Sequence, residues 1–305
     1  MRKRSFHVIV MLLSIIFVIT ATSYSIIQLN ESKNNLHLLN KPGRTAKEII
    51  EQIKDFTNVQ WSEETVDLII AGNPDAVVTG IATTFMATMD VLKEAVNQDI
   101  NFIITHEPTF YNHLDEVEHY EGDLVVEEKL RFIDEHGLVI WRFHDHIHRM
   151  QPDRIVSGMV KGLGWEKYLV KGENRVFTLP ETTLKKLAEE LSDHYGVSTV
   201  RVIGDPNLEI NCAGLMVGCP GYMSQVKMFQ REDIDVMIIG ESREWETVEY
   251  VRDACSLGTK KGMIILGHVI SEEDGMKYLV DELRVVFPEM NVRFIPAGNP
   301  FWAGK

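Results

Sequence analysis

Hydrophobic and polar positions fall into alternating blocks along most of the chain. Short runs rich in Val and Ile recur as AVVTGIA (76–82), INFIIT (100–105), GLVIWRF (137–143), RVFTL (175–179), STVRVI (198–203), AGLMVG (213–218), DVMIIG (235–240), GMIILG (262–267) and VRFIP (292–296). Between many of them lie stretches with helical spacing of apolar residues, such as MDVLKEAVNQ (89–98), DLVVEEKLRFIDEH (123–136), DRIVSGMVKGL (153–163), TTLKKLAEELSDHY (182–195), YMSQVKMFQRE (222–232), EWETVEYVRDA (244–254) and EEDGMKYLVDELRVVF (272–287). Runs of four to eight apolar residues bounded by turn signals read as buried strands, and the longer periodic stretches read as helices. Their alternation predicts an α/β protein with parallel or mixed sheets. A first helix is expected from Thr45, where Thr45 and Glu48 have capping-box spacing and Ile49, Ile50 and Ile53 share one face. Gly137 and Gly196 stand where helices should end.

The N-terminus breaks this pattern. Arg2, Lys3 and Arg4 precede VIVMLLSIIFVIT (8–20), and the polar NESKNN (30–35) follows. A basic flank before an apolar stretch is the shape of an export signal, cleaved or kept as an anchor, with the basic side in the cytoplasm. The expected organisation is a signal peptide or membrane anchor over 1–29, a linker over 30–43, and two α/β lobes over 44–170 and 171–305. The location expected is extracytoplasmic, tethered to the membrane through the N-terminal segment only, or secreted.

Composition narrows the function. The 305 residues are 45% hydrophobic and 25% charged, with a formal net charge of -14. Such a charge argues against nucleic acid as a partner, because phosphates need a Lys/Arg surface. Cys212, Cys219 and Cys255 form no CxxC pattern, so neither a disulfide framework nor a thiolate zinc site is expected, and the thiols read as buried and inert.

Candidate chemistry collects where apolar runs stop, the end at which open α/β sheets bind ligands. INFIIT is followed by His106 and Glu107, and GLVIWRF by His144, Asp145, His146 and His148. Glu241 follows DVMIIG, and His268, Glu272 and Glu273 follow GMIILG. Imidazole and carboxylate together suit zinc, manganese or iron. In an extended segment the alternating His144, His146 and His148 would face one side, with Asp145 on the other. Ser271 reads as an N-cap, which would leave His268 before the helix, with Glu272 a metal ligand or, as the alternative, a complement with Glu273 to its dipole. The turn Gly218–Gly221 is a weak candidate for an anion site and does not fit the Walker or dinucleotide patterns. Trp245 and Trp302 read as packing residues, with the lining of a pocket as the alternative.

These motifs in this order resemble the Nif-three-like dinuclear metal-centre proteins. DAVVTGIA, VLKEAVNQDINFIITHEPTFY, HDHIH, IVSGMVKGLGW, DVMIIGESREWE and ILGHVISEEDGMKYL carry the likeness over roughly residues 44–299. The resemblance implies a two-lobed fold of mixed sheets flanked by helices, here preceded by an N-terminal apolar helix. It also implies two divalent metal ions in a cleft, a homo-hexameric ring, and a GTP cyclohydrolase type-two-like assignment for some members. The family's His-His-Pro falls on His106, Glu107 and Pro108, and its His-Thr-x-x-Asp on His144 to His148. Its His-x-x-x-Glu is retained as His268 and Glu272, while Trp245 stands where a histidine is common. The implied metal ligands are therefore His106, Glu107, His148, His268 and Glu272, with His144 and His146 as auxiliary or supporting groups. Glu241 or Glu244 is the candidate general base. The function expected is a metal-dependent hydrolase of a small-molecule substrate. The alternative is a non-catalytic metal-binding or ring-forming scaffold, and a weaker third reading is a nucleotide-binding module using Gly218 to Gly221.

Overall fold

The structure is a computed structural model and describes residues 43–304, so the expected apolar helix of the N-terminal segment lies outside it. Among the described residues no helix is long and apolar enough to cross a membrane.

The elements, in chain order, begin with α1 (Ala46–Thr57), β1 (Ile69–Ala71), β2 (Gly80–Thr84), α2 (Met89–Asn97), β3 (Phe102–Thr105), α3 (Leu124–Glu135) and β4 (Val139–Arg142). There follow α4 (Asp145–Arg149), α5 (Arg154–Leu163), β5 (Val176–Thr183), α6 (Leu184–Tyr195), β6 (Arg201–Ile203) and β7 (Glu209–Met216). The chain ends with α7 (Tyr222–Gln230), β8 (Val236–Ile239), α8 (Glu249–Ser256), β9 (Gly262–Ile265), α9 (His268–Val286) and β10 (Asn291–Phe294). Two five-stranded mixed sheets result, in the orders β1-β4-β3-β2-β10 and β5-β7-β8-β9-β6. In the first only β1 is antiparallel, and in the second β5 and β6 are. The last strand, β10, pairs with β2 of the first sheet.

Helix α1 shows how sequence sets local structure. Thr45 and Glu48 close the capping box, and Asn58 ends the helix in the left-handed region. Ile49, Ile50 and Ile53 are buried, each contributing roughly 1.5–3 kcal/mol of apolar burial. Strands β2, β3 and β4 are buried on both faces, so no alternation marks them in the sequence. Ile81, Phe102, Ile104 and Trp141 join a core shared with Leu215, Val236, Ile238 and Ile264 of the second sheet and with α1, α5 and α9. Ala82, Ile103 and Ile140 point the other way, under α2 and α3.

Helices α5 and α9 cross in that central layer. A Cβ on Gly158 would lie 2.4 Å from the Gly275 Cα, so only a glycine permits the approach. This contact sets the distance between the segment after β4 and the helix after β9.

Candidate metal centre

Both of these segments carry imidazoles. Strand β3 delivers His106 and Glu107 to a turn whose backbone N–H groups both donate to the Phe85 carbonyl, at 3.1 and 2.8 Å. Next to it, β4 delivers Phe143, whose carbonyl lies 3.3 Å from His106 Nδ1. A carbonyl only accepts, so Nδ1 carries a proton and Nε2 faces Glu272.

The HDHIH segment is helical rather than extended. Asp67 accepts from the backbone N–H groups of His144, Asp145 and His146 at 2.7, 2.8 and 2.9 Å, which starts α4. Residues one helical turn apart then share a face. His144 and His148 point together, with ring centroids 5.2 Å apart, and lie 4.7 and 5.0 Å from the His106 ring. His146 turns away into the core. Its Nδ1 meets Asp67 Oδ2 at 2.6 Å, its Nε2 accepts from the Ser62 N–H at 3.0 Å, and its ring stacks on Trp61. The expectation of three co-facial histidines is therefore corrected. Asp145 meets His144 Nδ1 at 3.0 Å, and Asp153 meets His148 Nδ1 at 3.1 Å, so a carboxylate orients each imidazole.

Helix α9 also differs from expectation. It begins at His268 after Gly267, and Ser271 lies inside it, accepting from the Gly218 N–H at 2.9 Å and donating to the His268 carbonyl at 2.8 Å. His268 and Glu272 thus share a helical face, and Glu272 is buried instead of complementing the helix dipole. Glu273 accepts from the Ala297 N–H at 2.7 Å. Gly218, at φ +63°, packs so closely that a Cβ would lie 2.1 Å from Glu272 Oε1.

The groups meet in one cleft. His268 Nε2 lies 3.3 Å from Glu107 Oε1 and 3.0 Å from Glu272 Oε2, and its Nδ1 lies 3.0 Å from Glu241 Oε2. Glu107 Oε1 is also 3.5 Å from His144 Nε2, and Glu272 Oε1 is 4.0 Å from His148 Nε2. His106 Nε2 and Glu272 Oε2 are 3.3 Å apart and both buried, and neither this contact nor the one from His268 Nε2 to the same oxygen is aligned as a hydrogen bond. Burial opposes charge on His268, but its contacts to Glu107, Glu241 and Glu272 push the imidazole up to about 12. Burial likewise opposes charge on Glu107, and His268 and His106 overcome it, taking the carboxyl down to about 2. Glu272 is held well below the usual carboxylate range against burial, chiefly by His106. His144 goes the other way, down to about 4, because burial and the neighbouring His106 disfavour a second cation.

Two groups of donors have atoms within 4.8 Å of one another: His106, His144 and His148, and His106, Glu107 and Glu272. Nitrogen and oxygen donors of this kind suit a borderline or hard divalent metal. Pairs of buried, unpartnered donor atoms are costly unless something satisfies them. The residues therefore fit a metal ion.

Several groups stand apart from this cluster. Glu244 Oε1 accepts from Arg201 Nη1 at 2.7 Å and is largely exposed. Trp245 and Trp302 are 74% and 80% exposed, which overturns the packing role expected of them. Cys219 is exposed and Cys212 and Cys255 are half-buried, so the thiols are not sealed in the core. No motif in the sequence marks Asp67, Asp153 or the Phe143 carbonyl. A carboxylate before β1 carries no metal-ligand spacing, and only the short edge strand β1, itself unpredicted, brings Asp67 under α4.

Two mixed sheets enclosing a cleft of imidazoles and carboxylates define an α/β protein with a His/Glu cluster able to hold metal. The chain belongs to the Duf34/NIF3 (NGG1p interacting factor 3) family, whose model matches residues 44–300. It is 23% identical over 239 residues to a Clostridium acetobutylicum protein named GTP cyclohydrolase 1 type 2 homolog, covering 72% of this chain and 87% of that protein. A crystal structure of a Staphylococcus aureus protein matches with a TM-score of 0.66 at 16% identity, over 86% of this chain and 99% of the other. A Bacillus cereus protein related to NIF3 matches with a TM-score of 0.63 at 12% identity, over 87% and 100%. These structures share the fold.

Proposed function

We propose that this chain is a metal-dependent hydrolase that holds two divalent cations, zinc, manganese or iron, in the cleft. The observation that carries the reading is the buried, facing pair His106 Nε2 and Glu272 Oε2, 3.3 Å apart and not aligned as a hydrogen bond. Support for two ions comes from the way the carboxylates span the cleft. Glu272 turns Oε2 to His106 and His268 and Oε1 to His148, and Glu107 Oε1 lies between His144 and His268. The ligands proposed are His106, Glu107, His144, His148, His268 and Glu272.

Divalent cations held there would supply Lewis acidity toward a substrate oxygen and a water made acidic near neutral pH. The protein's own groups do the rest. Asp145 and Asp153 fix the His144 and His148 rings, so Nε2 of each faces the cleft. Glu241 touches His268 through Oε2 and has no other side-chain partner among the described residues, which suits it to take a proton as general base. Glu244, paired with Arg201, is the weaker candidate. A ring of six chains and an extracytoplasmic location, anchored through residues 1–29 or secreted after their cleavage, complete the proposal, and size measurement in solution and mass analysis of the mature N-terminus test them.

The decisive experiment is metal analysis of purified protein beside a His268→Ala, Glu272→Ala double variant. Two ions per chain in the first and a clear loss in the second are expected, whereas equal contents overturn the proposal. Turnover of phosphoesters, nucleotides or amides that a chelator stops and added metal restores supports hydrolysis. Metal binding with persistent silence in that screen would favour the non-catalytic scaffold.

A further inference from the structure

A cavity of about 830 Å³ opens beside His268 and Glu241. That volume suits a small molecule of nucleoside size or larger. Part of its wall is the tail after β10, which is anchored at Ala297 and Asn299 and turns on itself at Phe301. The Ala297 N–H donates to Glu273 at 2.7 Å, the Asn299 amide to Thr199 Oγ1 at 3.3 Å, and the Phe301 N–H to the Asn299 side chain at 3.1 Å. This fixed tail carries Phe301 and Trp302 to the cavity, where they remain 71% and 80% exposed. Two large aromatic faces left uncovered beside a cavity are platforms for a planar ring, and their π-faces attract cations.

The charges on the wall point the same way. Asp90, Glu241 and Glu244 supply three carboxylates, and Arg201 is the one Lys or Arg among the described lining residues. Its Nη1 donates to Glu244 at 2.7 Å, and the His268 Nδ1 meets Glu241 at 3.0 Å. Asp90 has no ion pair among the described residues. A polyphosphate is best held by several unpaired cations, and among the described lining side chains neither Arg201 nor His268 is without a carboxylate partner.

The geometry points to a ligand built on a planar heterocycle of nucleoside size, uncharged or cationic, stacked on Phe301 and Trp302 and without a polyphosphate chain. Taking the cavity as the substrate pocket rests on the hydrolase reading, with the reacting bond directed toward His268. The binding preference is measured independently of catalysis.

The test uses one base in three ligands, namely neutral guanosine, its N7-methyl derivative in mildly acidic buffer where the ring stays cationic, and anionic GTP, by calorimetry on the full chain stripped of metal with chelator. The expected order is N7-methylguanosine tightest, guanosine next, and GTP at least about tenfold weaker than guanosine. A Phe301→Ala, Trp302→Ala double variant should weaken both nucleosides by about tenfold, in line with the energy of base stacking. Asp90→Asn should shrink the advantage of the cation. Metal content and melting temperature of the aromatic variant, loaded separately, should match the parent, so a failed metal site and a failed ring site give different results. GTP binding as tightly as guanosine, no binding of either nucleoside, or unchanged affinity in the aromatic variant overturns the inference.

Discussion

Arg142 Nη2 lies 3.7 Å from Glu107 Oε2, and this buried nitrogen has no hydrogen-bond partner. The guanidinium is 1% exposed, and its other nitrogens donate to the His106 carbonyl at 3.2 Å and the His113 carbonyl at 2.6 Å. Burying a guanidinium is expensive unless its charge is matched. Here it stands behind Glu107, opposite the imidazoles, and leaves Oε1 for the cleft. Arg142→Met is expected to weaken metal binding about tenfold, the effect of losing a group that supports a ligand. In a Glu107→Gln background the same change should cost almost nothing. Metal titrations of all four proteins give the coupling, and equal costs in both backgrounds would reduce Arg142 to a structural brace.

Asp153 has two duties that a single substitution can separate. Its Oδ1 accepts from the N–H groups of Ile155 and Val156, capping α5, while Oδ2 holds His148 and Arg175. Asp153→Asn keeps a capping side chain and should change stability little, yet lower metal affinity by freeing the His148 ring. Asp153→Ala should lose about 1 kcal/mol of stability as well. Denaturant melts beside metal titrations read the two effects, and identical melts for the two variants would contradict the division.

The two histidines of HDHIH that face opposite ways should respond in opposite fashion. His146→Leu removes a buried partner of Asp67 and should cost about 2 kcal/mol or more of stability while leaving metal content unchanged. His144→Ala should lower metal content with a smaller loss of stability. Metal loss in the His146 variant under conditions where it remains folded would place that residue in the centre after all.

Lys129 is 1% exposed, and burial takes its amine down to about 8 from an ordinary 10.5, with Asp115 opposing only in part. Because the folded state holds this proton less tightly than the unfolded chain, the contribution to stability is present above pH 10.5 and lost as pH falls through 8. Relative to a Lys129→Met variant, the parent should gain stability between those pH values, on the order of 3 kcal/mol. Urea denaturation of both proteins across that range measures it. A constant difference would mean that the amine stays charged in the fold, held by its contact to the Thr109 carbonyl at 2.6 Å.

Much of this protein was legible before any coordinates. Apolar runs bounded by turn residues located most of the strands, because β2, β3, β4, β8 and β9 are buried throughout and need continuous hydrophobicity. Helix caps at Thr45 and Gly196 were local chemistry and stood in the sequence as such. The gathering of His106, Glu107, His144, His148, His268 and Glu272 followed from their places at the ends of those runs. Tertiary structure decided what depends on partners distant in sequence. Asp67 reaches across 77 residues to start α4, and that capping made a helix of a segment whose alternation suggests a strand, sending His146 into the core. The close crossing of Gly158 and Gly275 set how near Glu272 comes to the imidazoles, and the tail after β10 brought Phe301 and Trp302 to the cavity. Periodicity records which face of an element is apolar. It does not record which remote carboxylate satisfies a helix end or how closely two helices approach, since those are fixed only when the backbones pack.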